Sequence, residues 1–433
     1  MPKNRRAVLI ASALALGALA VSSGHVVAAS ADAKTGTDKK VTIRVSYAPA
    51  HLSGLYEAIA TRFMENNPEI KVILDSPAAD YQGLTQQILR QKITGELPDV
   101  THEGLNQIRT LADRGIAVPL DNFVADDPTW KDVGVPDSVK SFASFQGKSY
   151  GLPFAISAPV IFYNATLIKR AGGDPNNLPT DWTGIINLAN KVKTLGPEND
   201  GIYVEYTNGG WSFQMLVGSF GGRMMNEQEQ KVEFNGPAGL QAMNLLQRLG
   251  KEGQPSFGRN QARQAFSAGT LAMLATTSAE LHNYQRAAAG QFEVKVGPFP
   301  VSSTNDRLPA AGNGLVMLTQ DREKQQAAWN YIKFAIGPVG QLIMAETTGY
   351  VPVNVAGMQD PNGLGKYFKD HPEQLVPADR LPLMTGWYTF PGDNTPQITK
   401  AIEDICYEVV TLKRAPEDAM ADLTKTVEAF LPH

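Results

Sequence analysis

Apolar and polar residues alternate along VTIRVSY, from Val41 to Tyr47, and its β-branched members predict a strand. Apolar residues then recur at helical spacing through Leu55, Ile59 and Phe63, until Asn66, Asn67 and Pro68 stop the helix. Glu69 to Leu74 is a second strand, so the chain opens with a βαβ unit, which implies parallel pairing and a right-handed crossover. The pattern next predicts a helix from Tyr81 to Ile93, a turn over Gly95 to Pro98 and a short strand from Asp99 to His102, followed by Glu103 and Gly104. In an open parallel sheet ligands gather beyond the carboxyl ends of strands, and Tyr81 and Glu103 both fall on that rim. Glu103 serves equally well as a capping carboxylate for the next helix.

The run GLPFAISAPVIFYN, Gly151 to Asn164, is apolar throughout and contains Pro153 and Pro159. Proline excludes a regular helix and argues against a central strand, leaving an extended crossing between two halves of the molecule. Ser157 puts a hydroxyl at that boundary. Beyond it the alternation starts afresh: a helix from Ala165 to Arg170, a second opened by Thr180 or Asp181 as N-cap, and a loop at Asn208-Gly209-Gly210-Trp211. Trp211 offers a flat apolar face and an N–H suited to a sugar or polyol, or else it is core packing. Thr270 to Ala275 is a strand ending on Thr276-Thr277-Ser278, hydroxyls that either meet a ligand or cap the next helix. LPAAGNGLVML, Leu308 to Leu318, with Gly312 inside it, and TTGYVPVN, Thr347 to Asn354, with Tyr350 inside it, are two further extended crossings. The chain closes on helices from about Gln397 to Leu412 and from Pro416 to Leu431.

With 433 residues the chain exceeds one compact core and calls for two domains; 43% hydrophobic and 19% charged residues belong to a folded protein. Lys3, Arg5 and Arg6 precede the apolar run Ala7 to Val21, and small residues around Ala28 to Ala31 suit cleavage, so residues 1–29 read as a secretory signal peptide. Ser30 to Lys40 follows as a small, polar, disordered leader. No cysteine lies near the cleavage region for a lipid anchor, which predicts a freely soluble periplasmic protein. Cys406 is alone, so no intramolecular disulfide forms. Loss of the three positive charges on residues 1–29 moves the formal charge from −4 to −7, which disfavours nucleic acid. GxSxG, HExxH, CxxC and P-loop signatures are absent, and nothing calls for a cofactor or a metal.

Five segments in order, RFMENNPEIKV, ITGELPDV, GLPFAISAPVIFYN, LAMLATTSAEL and TTGYVPVN, resemble family 1 extracellular solute-binding proteins of ABC importers, most of all the glycerol-3-phosphate-binding branch. The resemblance implies an α/β, two-lobed periplasmic-binding-protein fold of type II, each lobe a mostly parallel sheet flanked by helices, with three hinge crossings. Lobe one would comprise residues 41–156 and 313–350, lobe two residues 157–312 and 351–433. It also implies a monomer that binds a small-molecule solute and delivers it to a membrane permease, without catalysis. Carried over by motif, the ligand contacts fall on Tyr81, Glu103, Ser157, Trp211, Thr277 or Ser278, Gly312 and Tyr350. An arginine expected at the start of a C-terminal helix is missing, because NTPQITK places Thr399 there. Threonine cannot replace a guanidinium fork for phosphate, so the expected ligand is a carbohydrate or polyol, with glycerol 3-phosphate or glycerophosphodiesters as the alternative and Lys400 or Arg223 as substitute charges. A secreted carbohydrate-active enzyme and a structural envelope protein are the rival classes.

Overall fold

The computed structural model describes residues 40–432; the expected signal peptide and nearly all of the leader lie outside the described residues. Principal elements are numbered in chain order. Strand β1, Val41–Tyr47, is followed by helix α1, Ser53–Asn66, and by β2, Ile70–Leu74, which pairs with β1 in parallel. Helix α2, Tyr81–Thr94, begins where the Asp80 carboxylate accepts the Gly83 N–H at 2.7 Å, and it ends on Gly95 at φ +74°, a left-handed cap that glycine adopts without a Cβ penalty. Strand β3, Val100–Gly104, lies beside β1, again in parallel, and leads into the short helix α3, Ile108–Asp113.

The predicted crossing is two strands. β4, Leu152–Ser157, belongs to one sheet and β5, Pro159–Asn164, to another, with Ala158 alone between them. Proline was expected to keep this run out of a sheet interior, yet β4 has a neighbour on each side. The partner strand accommodates it, since the register slips between Asn313 and Gly314 where Gly314 faces Pro153, a bulge that removes the need for a proline N–H. Pro159 is the first residue of its strand, where the missing donor costs least.

The second sheet adds β6, Asp200–Val204, β7, Leu271–Thr277, and β8, Val294–Pro298. The chain then returns to the first sheet through β9, Ala311–Met317, and β10, Val351–Pro352. The spatial orders are β10-β4-β9-β3-β1-β2 and β8-β5-β7-β6. Mostly parallel sheets were expected, but both are mixed. Within these two sheets only β1–β2, β1–β3 and β6–β7 pair in parallel, because each strand that carries the chain between sheets enters antiparallel to its neighbours.

Buried polar side chains pin these crossings. Gln341 donates to the Phe154 carbonyl at 3.0 Å and accepts the Val353 N–H at 2.7 Å, tying β4 to the chain just after β10. Ser278 accepts the Ala158 N–H at 3.2 Å while its own N–H donates to the Ala158 carbonyl at 2.9 Å. Each bond stabilises by about 0.5–1.5 kcal/mol net, but leaving a buried partner unsatisfied costs about 1–3 kcal/mol, so the links are held in one geometry. His102 is also structural. It is buried, 3.1 Å from the Tyr331 hydroxyl, and burial lowers its pKa to about 3, keeping the ring neutral.

Candidate functional site

A cavity of about 510 Å³ opens beyond the carboxyl ends of β1, β2 and β3, inside the range of roughly 300–1,000 Å³ of cavities that enclose small molecules. Tyr81, the first residue of α2, forms one wall with Thr85, Asn106 and Gln107. Its ring fits only because position 104 is glycine: a Cβ there would lie 2.7 Å from the ring. The Tyr81 hydroxyl accepts from Asn313 Nδ2 at 3.0 Å and lies 3.4 Å from the hydroxyl of Tyr350. Burial raises the pKa of both tyrosines, so both present neutral O–H groups.

The opposite wall comes from the ends of β4 and β7 and from helix α4, Arg259–Ser267. Ser157 and Thr277 supply hydroxyls. Arg259 and Arg263, one helical turn apart, face the same cavity. Arg259 pairs with the buried Glu205 at 2.6 Å, and Thr276 donates to the same carboxylate. Arg263 donates through Nη1 to Glu280 at 3.0 Å, and the second Glu280 oxygen accepts from Asn283. Burial pushes the Glu280 carboxyl up, but Arg263 and Asn283 outweigh it, so the group sits below its ordinary pKa and stays ionised. Nε and Nη2 of Arg263 are buried and lack a partner.

A third wall is the segment from Trp387 to helix α5, Thr395–Val410, together with Asn208 and Gly209. The Trp387 ring lies against Gly209, which holds φ +58° and has room for no more than a light contact, and its indole N–H is without a partner. Arg114 pairs with Asp393 at 2.5 Å across the rim. Among the described residues no group of three or more His, Cys, Asp or Glu could hold a metal ion.

Six of the predicted residues line this cavity: Tyr81, Ser157, Thr277, Gly312, Tyr350 and Thr399. Three do not. Trp211 is fully buried at the start of a helix, Trp211–Ser219, and its Nε1–H donates to the Pro309 carbonyl at 3.0 Å, so neither its face nor its donor is free. Ser278 spends its hydroxyl on the Ala158 link. Glu103 is buried behind Tyr81, accepts the Gly104 N–H at 3.0 Å, and burial raises its pKa to about 8. The substitute charges are also elsewhere. Lys400 pairs with Asp404 and Arg223 with Glu233, and neither lines the cavity. The residues missed are Trp387, Arg259, Arg263 and Glu280. A signal existed for the arginines, which stand four apart in GRNQARQAF just before the strand that ends on Thr277.

The model of the family described as bacterial extracellular solute-binding protein matches residues 58–373. The chain belongs to this family. Among similar proteins, a binding protein of Brucella abortus (strain 2308) is 26% identical over 352 residues, covering 78% of this solute-binding protein and 80% of the relative. The sn-glycerol-3-phosphate-binding periplasmic protein UgpB of Escherichia coli (strain K12) is 24% identical over 397 residues, covering 84% and 86%. UgpB from Mycobacterium tuberculosis, solved in complex with glycerophosphocholine, has TM-score 0.77 at 21% identity and covers 89% of this chain and 97% of its own. The cyclic alpha-maltosyl-1,6-maltose binding protein from Arthrobacter globiformis has TM-score 0.77 at 18% identity, covering 90% and 98%. These likenesses agree with the α/β fold of type II binding proteins.

Proposed function

We propose that this solute-binding protein is the periplasmic component of an ABC importer, which captures a neutral, hydroxyl-rich solute, a carbohydrate or polyol, and delivers it to a membrane permease. Residues 41–156 with 313–350 would act as one lobe, and 157–312 with 351–433 as the other. The open protein samples a hinge motion about the three crossings, and a solute touching both lobes favours the closed form. Export by a signal peptide and a monomeric state complete the proposal.

The charge balance of the cavity carries the choice of a neutral ligand. Arg114, Arg259 and Arg263 line it, and each already has a carboxylate partner in Asp393, Glu205 or Glu280. A phosphate would have to compete with those carboxylates. Hydroxyls meet no such conflict, since they can accept from a paired guanidinium and donate to its carboxylate. Trp387 then supplies a flat apolar face for the C–H side of a sugar ring.

The two unpartnered nitrogens of Arg263, Nε and Nη2, favour a second reading, in which a glycerol phosphate or glycerophosphodiester docks on that edge. A thermal-shift screen across mono- to trisaccharides, polyols, glycerol phosphates and glycerophosphodiesters separates the two, because a ligand that binds only the folded state raises the melting temperature. Stabilisation by a neutral compound that is recovered intact after prolonged incubation supports the first reading. Stabilisation by phosphorylated compounds alone supports the second, and conversion of an oligosaccharide would make the protein an enzyme.

A further inference from the structure

Arg109 and Glu229 form the best-made ion pair near the cavity, yet neither lines it. Arg109 lies on α3, the helix that follows β3 and whose Thr110 faces the cavity. Glu229 sits in a turn at φ +55°, on a hairpin closed by pairing of Met225 with Val232. The turn is rigid, because Asn226 Oδ1 accepts the N–H groups of Gln230 and Lys231 at 2.8 and 3.0 Å. Nη1 and Nη2 of Arg109 donate to the two Glu229 oxygens at 2.5 and 2.7 Å, with the Arg109 side chain only 12% exposed.

The pair also holds the Trp387 wall. The Tyr388 hydroxyl donates to Glu229 Oε1 at 3.0 Å, and Arg109 Nη1 donates to the Thr389 carbonyl at 3.2 Å. Thr389 Oγ1 in turn donates to the Asn106 carbonyl at 2.6 Å, beside the Tyr81 wall. The segment next to Trp387 is therefore fastened to the Glu229 turn and to the α3 side by the same cluster.

We infer that Arg109 and Glu229 are positioning residues, a clasp that joins the two proposed lobes, biases the ligand-free protein toward closure and sets Trp387 against the solute. The inference rests on the binding reading above. In the proposed partition Arg109 belongs to lobe one and Glu229 to lobe two, so hinge opening must part them. A bidentate pair with one partner largely shielded and the other 32% exposed resists parting better than a fully exposed one. The apparent affinity of a ligand for the closed form scales with the closed fraction, so loss of the clasp weakens binding without removing any ligand contact.

The test uses the mature chain carrying Glu229→Gln, Arg109→Gln, both together, or the reversed pair Arg109→Glu with Glu229→Arg. Glu229→Gln keeps the shape of an exposed turn and leaves folding intact. Small-angle scattering of the ligand-free proteins should give a larger radius of gyration for each single variant, no further increase for the double, and partial return for the reversed pair. Dissociation of a neutral sugar identified by thermal shift should be faster in the single variants by up to about tenfold. Single variants that melt like the parent and match its ligand-free scattering and dissociation rate would overturn the clasp. If no probe binds the parent protein, the binding reading fails, and the ligand-free scattering still decides the clasp.

Discussion

Trp211 stands out in the sequence and Trp387 does not, and their surroundings reverse that order. Trp211 follows two glycines and looks free, but its indole N–H is spent on Pro309 and its ring is enclosed; Trp387 sits in an irregular loop and faces the cavity. Trp211→Ala should therefore destabilise the fold by about 3–5 kcal/mol, read by denaturant unfolding, and leave the affinity of the folded fraction unchanged. Trp387→Ala should weaken calorimetric binding by about tenfold or more. Glu103 shows the same limit of sequence reasoning, because position along a strand gives the rim but not whether a side chain points up or lies buried. With its pKa raised to about 8, Glu103 binds a proton in the folded state that an unfolded carboxyl gives up near pH 4.3. The neutral form stabilises the fold fully below about pH 4.3, and that contribution is lost as pH rises through about 8. Glu103→Gln should accordingly lose less melting temperature than the parent between about pH 5 and pH 9, and an identical pH profile would contradict the buried, neutral carboxyl.

At the scale of elements the alternation and capping signals carried well. The strand at Val41–Tyr47 and the helix that begins at Tyr81 fall where the period places them, the helix capped by Asp181 begins where its cap places it, and the strand predicted from Thr270 to Ala275 spans Leu271–Thr277, because those signals are local. Pairing direction was legible for the opening βαβ unit, whose β1 and β2 pair in parallel, but not for the strands that cross between sheets. Pro153 in β4 depends on the bulge opposite it in β9, a contact between residues far apart in the chain. Gly312 shows why β9 can cross there at all. It holds φ +106°, and a Cβ would stand 1.9 Å from the Ala155 carbonyl. Gly312→Ala should lower stability by about 3 kcal/mol or more in chemical denaturation. Gly290→Ala, at φ +76° with nothing within 4 Å, should cost about 1 kcal/mol from backbone strain alone. Equal losses would mean that the close packing of the crossing is unimportant.

The whole molecule follows from a division of labour between local and distant information. Three extended crossings and an open rim are written as Pro, Gly and hydroxyl residues in apolar runs, whereas the type of fold and the nine candidate residues, six of which line the cavity, came from the family resemblance. The charge balance came from neither, since Glu205, Arg259, Arg263 and Glu280 meet only after α4 packs beside β7. That balance is the reason to expect a neutral guest although the sequence is close to glycerol-phosphate binders. The most direct measurement is a crystal structure of the protein with a neutral sugar or polyol that stabilises it. The account predicts the solute in the cavity, its ring against Trp387 and its hydroxyls on Tyr81, Tyr350 and the paired arginines. A solute bound outside the cavity, or a complex obtained only with a phosphate seated on Arg263 after Glu280 has been displaced, would contradict it.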